Sequence, residues 1–253
     1  MRGISKPWPP GDVYPDGHES SSLREAEEKY LAELPAAANQ AAFARSEFDR
    51  LEKRKLRAEM YREQRSLCVY CESRIAEGSQ PPRVEHWHPL SLDPRLALHW
   101  KNLYLSCPFP ETCECAKGDR PFRWDDDDPH MPWPTDLRYE DVVGFTSRGE
   151  IYVRSDVPLP DATRRALELA IADCPDGART RHGIVNLNHP ALVAARAAAL
   201  DSERTRLERD FKNRTASRDS RDERANEILA QDTFPGFVSI RVAWLRKRLG
   251  RGR

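Results

Sequence analysis

Apolar positions along the chain predict helices at both ends around a short, mixed middle segment. Ser22 followed by Glu25 forms a capping box, which predicts a helix that ends at Pro35. Residues 36–66 predict a second, longer helix with an imperfect apolar stripe among dense charges, too irregular for a coiled coil. The apolar residues of the first helix are Leu23, Ala26, Tyr30, Leu31 and Leu34, and those of the second are Phe43, Phe48, Leu51, Met60 and Leu67.

The segments outside these helices divide into loops, a hairpin and further helices. Residues 1–20 are rich in Pro, Gly and Asp and predict an extended or loosely packed arm, and the acidic, Pro-rich residues 125–136 predict an exposed loop. Asn188 as N-cap, with Pro190 in the first turn, predicts a helix that runs to about residue 213. The other predicted elements are a hairpin of Val142–Thr146 and Ile151–Arg154 around Gly149, a helix over Asp161–Ala172, a polar break over 215–225, and closing helices over Glu227–Ala230 and Phe237–Leu249.

The middle segment, residues 68–120, contains only short apolar patterns of mixed type and is rich in Cys, His and Trp. Val84–His86 and Asn102–Ser106 predict short strands, and Thr112–Lys117 predicts the start of a helix. The fold class that follows is mainly α with a small α+β insert. We divide the chain into N-terminal arm and helices (1–66), the insert (67–124), and an acidic loop, hairpin and C-terminal helices (125–253).

Composition argues against a membrane-spanning protein and against nucleic-acid binding by bulk charge. Hydrophobic residues make up 39% and charged residues 32% of 253 positions, and no apolar run approaches the roughly 18 residues of a membrane span. The 41 basic and 41 acidic residues cancel, so bulk charge does not drive nucleic-acid binding, although a local basic surface still can. The first residues contain no apolar stretch typical of a secretory signal, which predicts a reducing, cytoplasmic environment.

Two other charge runs are assigned to the solvated surface. The basic residues of 241–253 predict the polar side of an amphipathic helix more than a DNA clamp, because Val242, Trp244, Leu245 and Leu249 alternate with them. Asp125–Asp128 predicts a solvated loop, because consecutive carboxylates repel one another and lack ligand geometry.

The cysteines predict a structural zinc site. Cys68 and Cys71 form a Cys-x-x-Cys knuckle, and Cys107 and Cys113 are the best second pair. Four thiolates close a tetrahedral zinc site, whereas a lone Cys-x-x-Cys also suits a buried pair or a redox motif. The second pair and the lack of a βαβ pattern favour zinc. Cys115 competes with Cys113 for the fourth position, and Cys174 is predicted to be a buried apolar thiol.

Between and after the two cysteine pairs lies a further ordered set of residues that resembles the HNH endonuclease motif. The HNH residues are Glu85-His86-Trp87-His88-Pro89, Asn102-Leu103 and Cys113-Glu114, with Lys117-Gly118-Asp119 following. Together with Met1-Arg2-Gly3-Ile4-Ser5-Lys6, the Cys-x-Tyr-Cys-Glu knuckle and Val185-Asn186-Leu187-Asn188, they resemble the PtuB-like nucleases of Septu-type and retron-associated antiphage systems. The resemblance touches points from residue 1 to about 196.

The resemblance implies a ββα-metal finger with a role for each residue of the motif. Glu85 and His86 would lie on the first strand, Asn102 on the second, and Glu114 at the start of the helix. His86 would be the general base for hydrolysis of DNA, and Asn102 would fix the loop that aims it. Glu85 and Glu114 would hold Mg²⁺ or Mn²⁺, and His88 would contact phosphate or help to hold the metal. Glu114 departs from the His or Asn that is usual at the third position.

The resemblance also implies a partner, an ABC-type or AAA-like ATPase subunit that gates the nuclease. The amphipathic helical flanks are the predicted surface for it. Two alternatives remain: a zinc-stapled adaptor with no nuclease activity, and an RNA nuclease, acting for example on tRNA, that uses the same site. A zinc-dependent nucleobase deaminase is disfavoured, because His-x-Glu is absent before any Pro-Cys-x-x-Cys.

Overall fold

A computed structural model describes residues 2, 4–6, 22–76, 78, 80–118, 132–172, 184–211 and 217–246. Several sequence predictions lie outside these residues. They concern Met1, Gly3 and residues 7–20 of the arm, Asp119, the Asp125–Asp128 run, Cys174, and the residues after 246.

The described chain is mostly helical, with two small antiparallel sheets of two strands each. The elements are α1 (Leu23–Glu33), α2 (Gln40–Arg50), α3 (Lys53–Glu63), β1 (Arg83–His86), β2 (Leu103–Ser106), α4 (Cys113–Lys117), α5 (Tyr139–Val142), β3 (Val143–Phe145), β4 (Ile151–Val153), α6 (Asp161–Ile171), α7 (Pro190–Phe211), α8 (Arg218–Ala230) and α9 (Val238–Leu245). Within these ranges no helix combines the length and apolar character needed to cross a membrane.

The N-terminal helices differ from the prediction in one place. The cap of α1 is confirmed, because the Ser22 hydroxyl accepts a hydrogen bond from the Glu25 amide. The single helix over residues 36–66 is wrong, since the chain turns between α2 and α3. Leu51 is extended and buried there, and the Glu52 carboxylate caps α3 by accepting from the Arg54 amide at 2.9 Å. A buried apolar residue followed by a capping carboxylate explains the break.

The N-terminal arm is packed where the structure describes it, which corrects the prediction of a loose arm for residues 4–6. The Ile4 amide donates to the Pro134 carbonyl at 2.8 Å. The Lys6 side chain is fully buried, with its ammonium 3.0 Å from the Glu63 carboxylate and 3.4 Å from the centre of the Trp100 ring. The ion pair and the cation–π contact offset part of the cost of burying this charge, and the remaining cost lowers the pKa of Lys6 to about 8.

The middle segment forms the predicted strands and helix with a small shift. β1 pairs antiparallel with β2, with Glu85 opposite Tyr104 and His86 opposite Leu103. α4 begins seven positions after the end of β2 and completes a strand–strand–helix order. Asn102 is not on the second strand, as was predicted, but ends a 3-10 turn, because its amide donates back to the His99 carbonyl.

The second half contains the predicted hairpin, in which Gly149 takes a positive φ of 94° in the turn. Asn188 is not the N-cap of α7. Its side-chain amide instead binds both backbone groups of Ile151 at the start of β4, and the His189 ring accepts from the Ala191 amide at the helix start. Asn188 therefore joins the hairpin to α7.

The predicted polar break over residues 215–225 is wrong, because α8 begins at Arg218. The Ser217 hydroxyl caps it, accepting from the Ser220 amide, and Ala225 and Ile228 on the helix are buried. Glu203 on α7 then binds one arginine from each of the last two helices, Arg241 at 2.7 Å and Arg224 at 3.4 Å. The prediction failed because most residues of this segment are polar, whereas α8 buries only a narrow apolar side.

One cluster of buried apolar side chains joins these parts. It contains residues of all three predicted regions, such as Tyr30, Trp87 and Leu167, all with an exposed fraction of 2% or less. The strands that carry the candidate site therefore pack on the flanking helices. The division at residues 66 and 124 stays a prediction.

Candidate active site and metal centre

Four cysteines meet in one buried cluster. The Sγ atoms of Cys68, Cys71, Cys107 and Cys113 lie within 4.8 Å of one another. The knuckle supplies the first pair, Cys107 follows β2, and Cys113 begins α4. All four are free thiols rather than disulfides. This grouping is the predicted ligand set, and it selects Cys113 over Cys115 as the fourth member.

The spacing of the sulfur atoms suits a metal such as zinc. A tetrahedron with Zn–S bonds of about 2.3 Å has sulfur–sulfur edges of about 3.8 Å. The Sγ atoms of Cys71 and Cys107 are 3.7 Å apart. Cys115 is half-buried and its thiol faces the Glu114 carboxylate at 3.7 Å. The cluster can therefore hold one tetrahedral ion without Cys115.

Ionisation of the cluster is uneven. Burial opposes ionisation of Cys68, but hydrogen bonds from the sulfur atoms of the other three cysteines outweigh it and place its pKa well below the ordinary value. Burial and the neighbouring cysteines raise the pKa of Cys113. Four thiolates in one buried place repel one another, so a cation is the natural means of ionising all of them.

Glu72 ties the knuckle to the C-terminal helix. It has a positive φ of 63°, a conformation that costs a non-glycine residue free energy. Its carboxylate accepts from the amide and the hydroxyl of Ser239 on α9, at 2.9 and 2.7 Å, and its carbonyl accepts from the Phe237 amide. These contacts hold the backbone just after Cys71 in place.

His86, the predicted general base, is the last residue of β1 and has an exposed fraction of 8%. Its Nε2 lies 3.0 Å from the Ala97 carbonyl, and its ring packs edge-on against Phe48. A carbonyl oxygen accepts hydrogen bonds only, so Nε2 carries the proton and Nδ1 the lone pair. Burial lowers the pKa of His86 to about 4, with Arg45, Lys117 and Lys53 adding to the effect. The imidazole is therefore neutral at pH 7.

Asn102 fixes the loop that follows β1. Its Oδ1 accepts from the His88 amide at 2.7 Å, and its Nδ2 donates to the carbonyls of His88 and Leu96 at 3.0 and 3.1 Å. Leu96 directly precedes Ala97, whose carbonyl orients His86. One fully buried side chain thus holds both ends of the segment that positions the imidazole.

Glu85 is buried beside His86 and is held by two partners. Lys117 of α4 reaches its Oε1 at 2.6 Å, and the Tyr70 hydroxyl donates to the same oxygen at 2.8 Å. The Lys117 ammonium also donates to the His86 carbonyl at 2.9 Å. Burial raises the pKa of Glu85, Lys117 and Tyr70 oppose this effect, and Glu114 adds to it. Both hydrogen bonds use Oε1, which leaves Oε2 as the oxygen for a further ligand.

Glu114 and His88 have other contacts in this structure. Glu114 lies at the predicted helix start and forms an ion pair with Arg83 at 3.0 Å. The His88 ring packs edge-on against Trp133. Among the described residues, the four cysteines are the single group of three or more His, Cys, Asp or Glu residues that is placed to hold a metal ion. Glu85, Glu114 and His88 are therefore not gathered as a three-ligand set, because each side chain is engaged elsewhere.

Sequence reasoning missed three residues that shape the site. The motifs of the sequence contain Lys117, Tyr70 and Glu72 but do not predict a role for any of them. The available signal was a lysine one helical turn after Cys113, together with an acid beside the predicted base. That pairing becomes visible only when α4 is seen to pack on β1.

Comparison with known proteins finds one local similarity. No family model matches the chain. A segment of 51 residues, 20% of this chain, is 43% identical to the Septu protein PtuB of Bacillus thuringiensis, of which it covers 19%. The match thus spans about a fifth of that relative's length and supports a relation to a Septu protein over this segment.

Replacing one clustered cysteine tests the metal centre. We expect the parent to bind one zinc per chain, and Cys71→Ser to lose the zinc together with the folded segment 68–118, because binding of a structural metal is coupled to folding. Mass spectrometry of the metal content and near-UV circular dichroism measure both effects. Cys115→Ser is the matched control and should keep its zinc. Retention of zinc by Cys71→Ser would contradict the four-cysteine assignment.

Removing the buried Lys117 ammonium tests its ion pair with Glu85. Lys117→Met leaves the Glu85 carboxylate buried and unpaired by a cation, so we expect the free energy of unfolding to fall by about 3–5 kcal/mol in urea titrations. The exposed Lys101, whose nearest carboxylate is 3.9 Å away at Asp136, provides the control. Lys101→Met should change stability by less than about 0.5 kcal/mol. Adding Glu85→Gln to Lys117→Met should restore part of the loss, and no restoration would count against this pair.

The lowered pKa of His86 predicts an acid-sensitive fold. The unfolded histidine protonates near pH 6.5 and the folded one near 4, so the unfolded state binds more protons between these values. His86 therefore contributes stability above pH 6.5 that is lost as pH falls towards 4. Urea titrations should show that the parent loses about 2 kcal/mol more than His86→Gln between pH 7 and pH 5. Equal losses in the two proteins would contradict the burial of a neutral imidazole.

Proposed function

We propose that this chain is a metal-dependent HNH endonuclease that hydrolyses DNA phosphodiester bonds. The observation that supports it best is the neutral His86 imidazole, oriented through Nε2 by the Ala97 carbonyl, on the residue that follows Glu85 in β1. The strand–strand–helix order of β1, β2 and α4 is the order that a ββα-metal finger requires. The four-cysteine cluster next to this finger would hold structural zinc, because its four buried sulfur atoms form a tetrahedral donor set.

His86 acts as the general base through Nδ1. This nitrogen accepts a proton from the water that attacks phosphorus, while Nε2 keeps its hydrogen bond to Ala97. The pKa of about 4 keeps Nδ1 unprotonated at neutral pH. The negative charge of a phosphodiester next to the ring favours the imidazolium that forms during the step. Asn102 maintains the loop geometry and so acts as a positioning residue.

Carboxylate oxygens of Glu85 and Glu114 are the donors that would hold Mg²⁺ or Mn²⁺. Hard oxygen ligands suit these ions, and Oε2 of Glu85 is left by the contacts of Lys117 and Tyr70. Glu114 would exchange its ion pair with Arg83 for the metal, and His88 would contact the phosphate. When bound, the ion supplies charge neutralisation at the scissile phosphate. Lys117 keeps Glu85 in position next to His86.

The similarity to a Septu protein supports a place in antiphage defence. We therefore propose that the chain is the nuclease subunit of such a system and that a partner ATPase of the ABC or AAA type gates it. The amphipathic helices α1 and α2 are the surface for this partner.

Cleavage of supercoiled plasmid tests the activity. With Mg²⁺ or Mn²⁺, and with the co-purified partner present, we expect the parent to convert plasmid and His86→Ala to lose at least about 100-fold in rate, since general-base catalysis contributes 10²–10⁴-fold. Gel analysis of the products measures the rate. His189→Asn is the matched control, because it retains a side-chain acceptor for the start of α7. It should cleave like the parent.

The outcome separates the functions. Equal cleavage by His86→Ala and the parent would remove His86 from the mechanism. Cleavage of tRNA but not of plasmid would change the substrate to RNA. Binding to the partner without cleavage of either nucleic acid would leave a zinc-stapled adaptor.

A further inference from the structure

Three cationic residues lie on the two helices that meet next to Phe48, Arg45 on α2 and Lys53 and Arg57 on α3. We call Arg45, Lys53 and Arg57 the basic cluster. The Lys53 ammonium lies 3.8 Å from the centre of the Phe48 ring, and that ring packs against the His86 imidazole at 4.5 Å between centres. One aromatic side chain therefore contacts both the cluster and the candidate base. None of the three cations belongs to the HNH motif.

The Lys53 ammonium is held in place by the backbone at this corner. It donates to the Phe48 carbonyl and, at 3.5 Å, to the Leu51 carbonyl. A cation oriented in this way loses less conformational entropy on binding a ligand than a free lysine does. Arg45 on α2 is exposed, and Arg57 on α3 is half-buried.

The charges of the cluster act on one another. Burial lowers the pKa of Lys53 to about 8; of the neighbouring charges, Asp49 raises it most, Arg45 and Arg57 lower it, and Glu52 raises it. The two arginines therefore act on the same ammonium, and an anion bound among the three cations would relieve their repulsion.

We propose that the basic cluster binds the sugar–phosphate backbone of DNA beside the bond that His86 hydrolyses. The inference rests on the proposed nuclease function and adds the surface that brings the substrate to it. With 41 basic and 41 acidic residues the chain has no bulk attraction for a polyanion, so binding needs a local surface. Arginine and lysine contacts to phosphate position a duplex without reading its sequence.

Binding measured without cleavage tests this surface. In the full chain with His86→Ala, fluorescence anisotropy of a labelled 30-base-pair duplex is recorded between 50 and 250 mM NaCl. Adding Arg45→Gln, Lys53→Gln and Arg57→Gln should raise Kd at 100 mM NaCl at least about tenfold and reduce the salt slope by about 2–3, because each lost phosphate contact contributes nearly one unit.

The control carries the same change of charge at another place. Arg204→Gln, Arg206→Gln and Arg209→Gln alter exposed arginines of α7 and should leave Kd within about twofold. Thermal melts show whether each variant is folded. Arg45→Gln with Arg57→Gln keeps the half-buried Lys53 and should still weaken binding about fivefold if the triple variant unfolds.

The outcomes separate this inference from the proposed function. Selective loss of binding in the cluster variants supports the surface, even where plasmid cleavage is absent and the nuclease proposal fails. Equal weakening by the α7 control, or unchanged binding by the cluster variants, overturns the surface while leaving cleavage by His86 intact. No binding of duplex at 50 mM NaCl, or cluster-dependent binding of RNA in its place, also overturns it.

Discussion

The four-cysteine cluster is the constraint on which the site depends. Its sulfur atoms come from the knuckle after α3, from the end of β2 and from the start of α4, and they lie within 4.8 Å of one another. Cys113 begins α4 with a positive φ of 55°, which costs about 1–3 kcal/mol for a residue with a side chain. A hydrogen bond from the Cys113 amide to the Val185 carbonyl and the contacts within the cluster maintain this conformation. A short helix with five residues is thereby given a defined direction.

That direction connects the metal centre to the candidate base. Lys117, one turn into α4, reaches across to the Glu85 carboxylate and the His86 carbonyl on β1. Asn102 holds the loop that follows the same strand. Because β1 has only four residues, these contacts determine where the imidazole lies. Disruption of the cysteine cluster would therefore disturb the candidate base through α4 and Lys117.

Buried charge is the second recurring feature of the fold. Lys6 meets Glu63 and Trp100, Lys117 meets Glu85, and Glu203 meets two arginines. Arg196 donates to the carbonyls of Gly149 and Leu187. Each buried ion has partners, as desolvation requires. Such pairs join elements that are far apart in sequence and so substitute for apolar area.

The sequence by itself determined the features that depend on local chemistry. Spacing and side-chain type predicted the cap of α1, the two short strands and a helix over Thr112–Lys117. They also predicted three of the four clustered cysteines and left Cys113 and Cys115 as alternatives for the fourth. Only the tertiary structure decided what depends on distances between segments. It selected Cys113 over Cys115, broke the helix at Leu51, and paired Lys117 with Glu85. The physical reason is that burial and ion pairing are set by neighbours across the fold, which periodicity along the chain does not record.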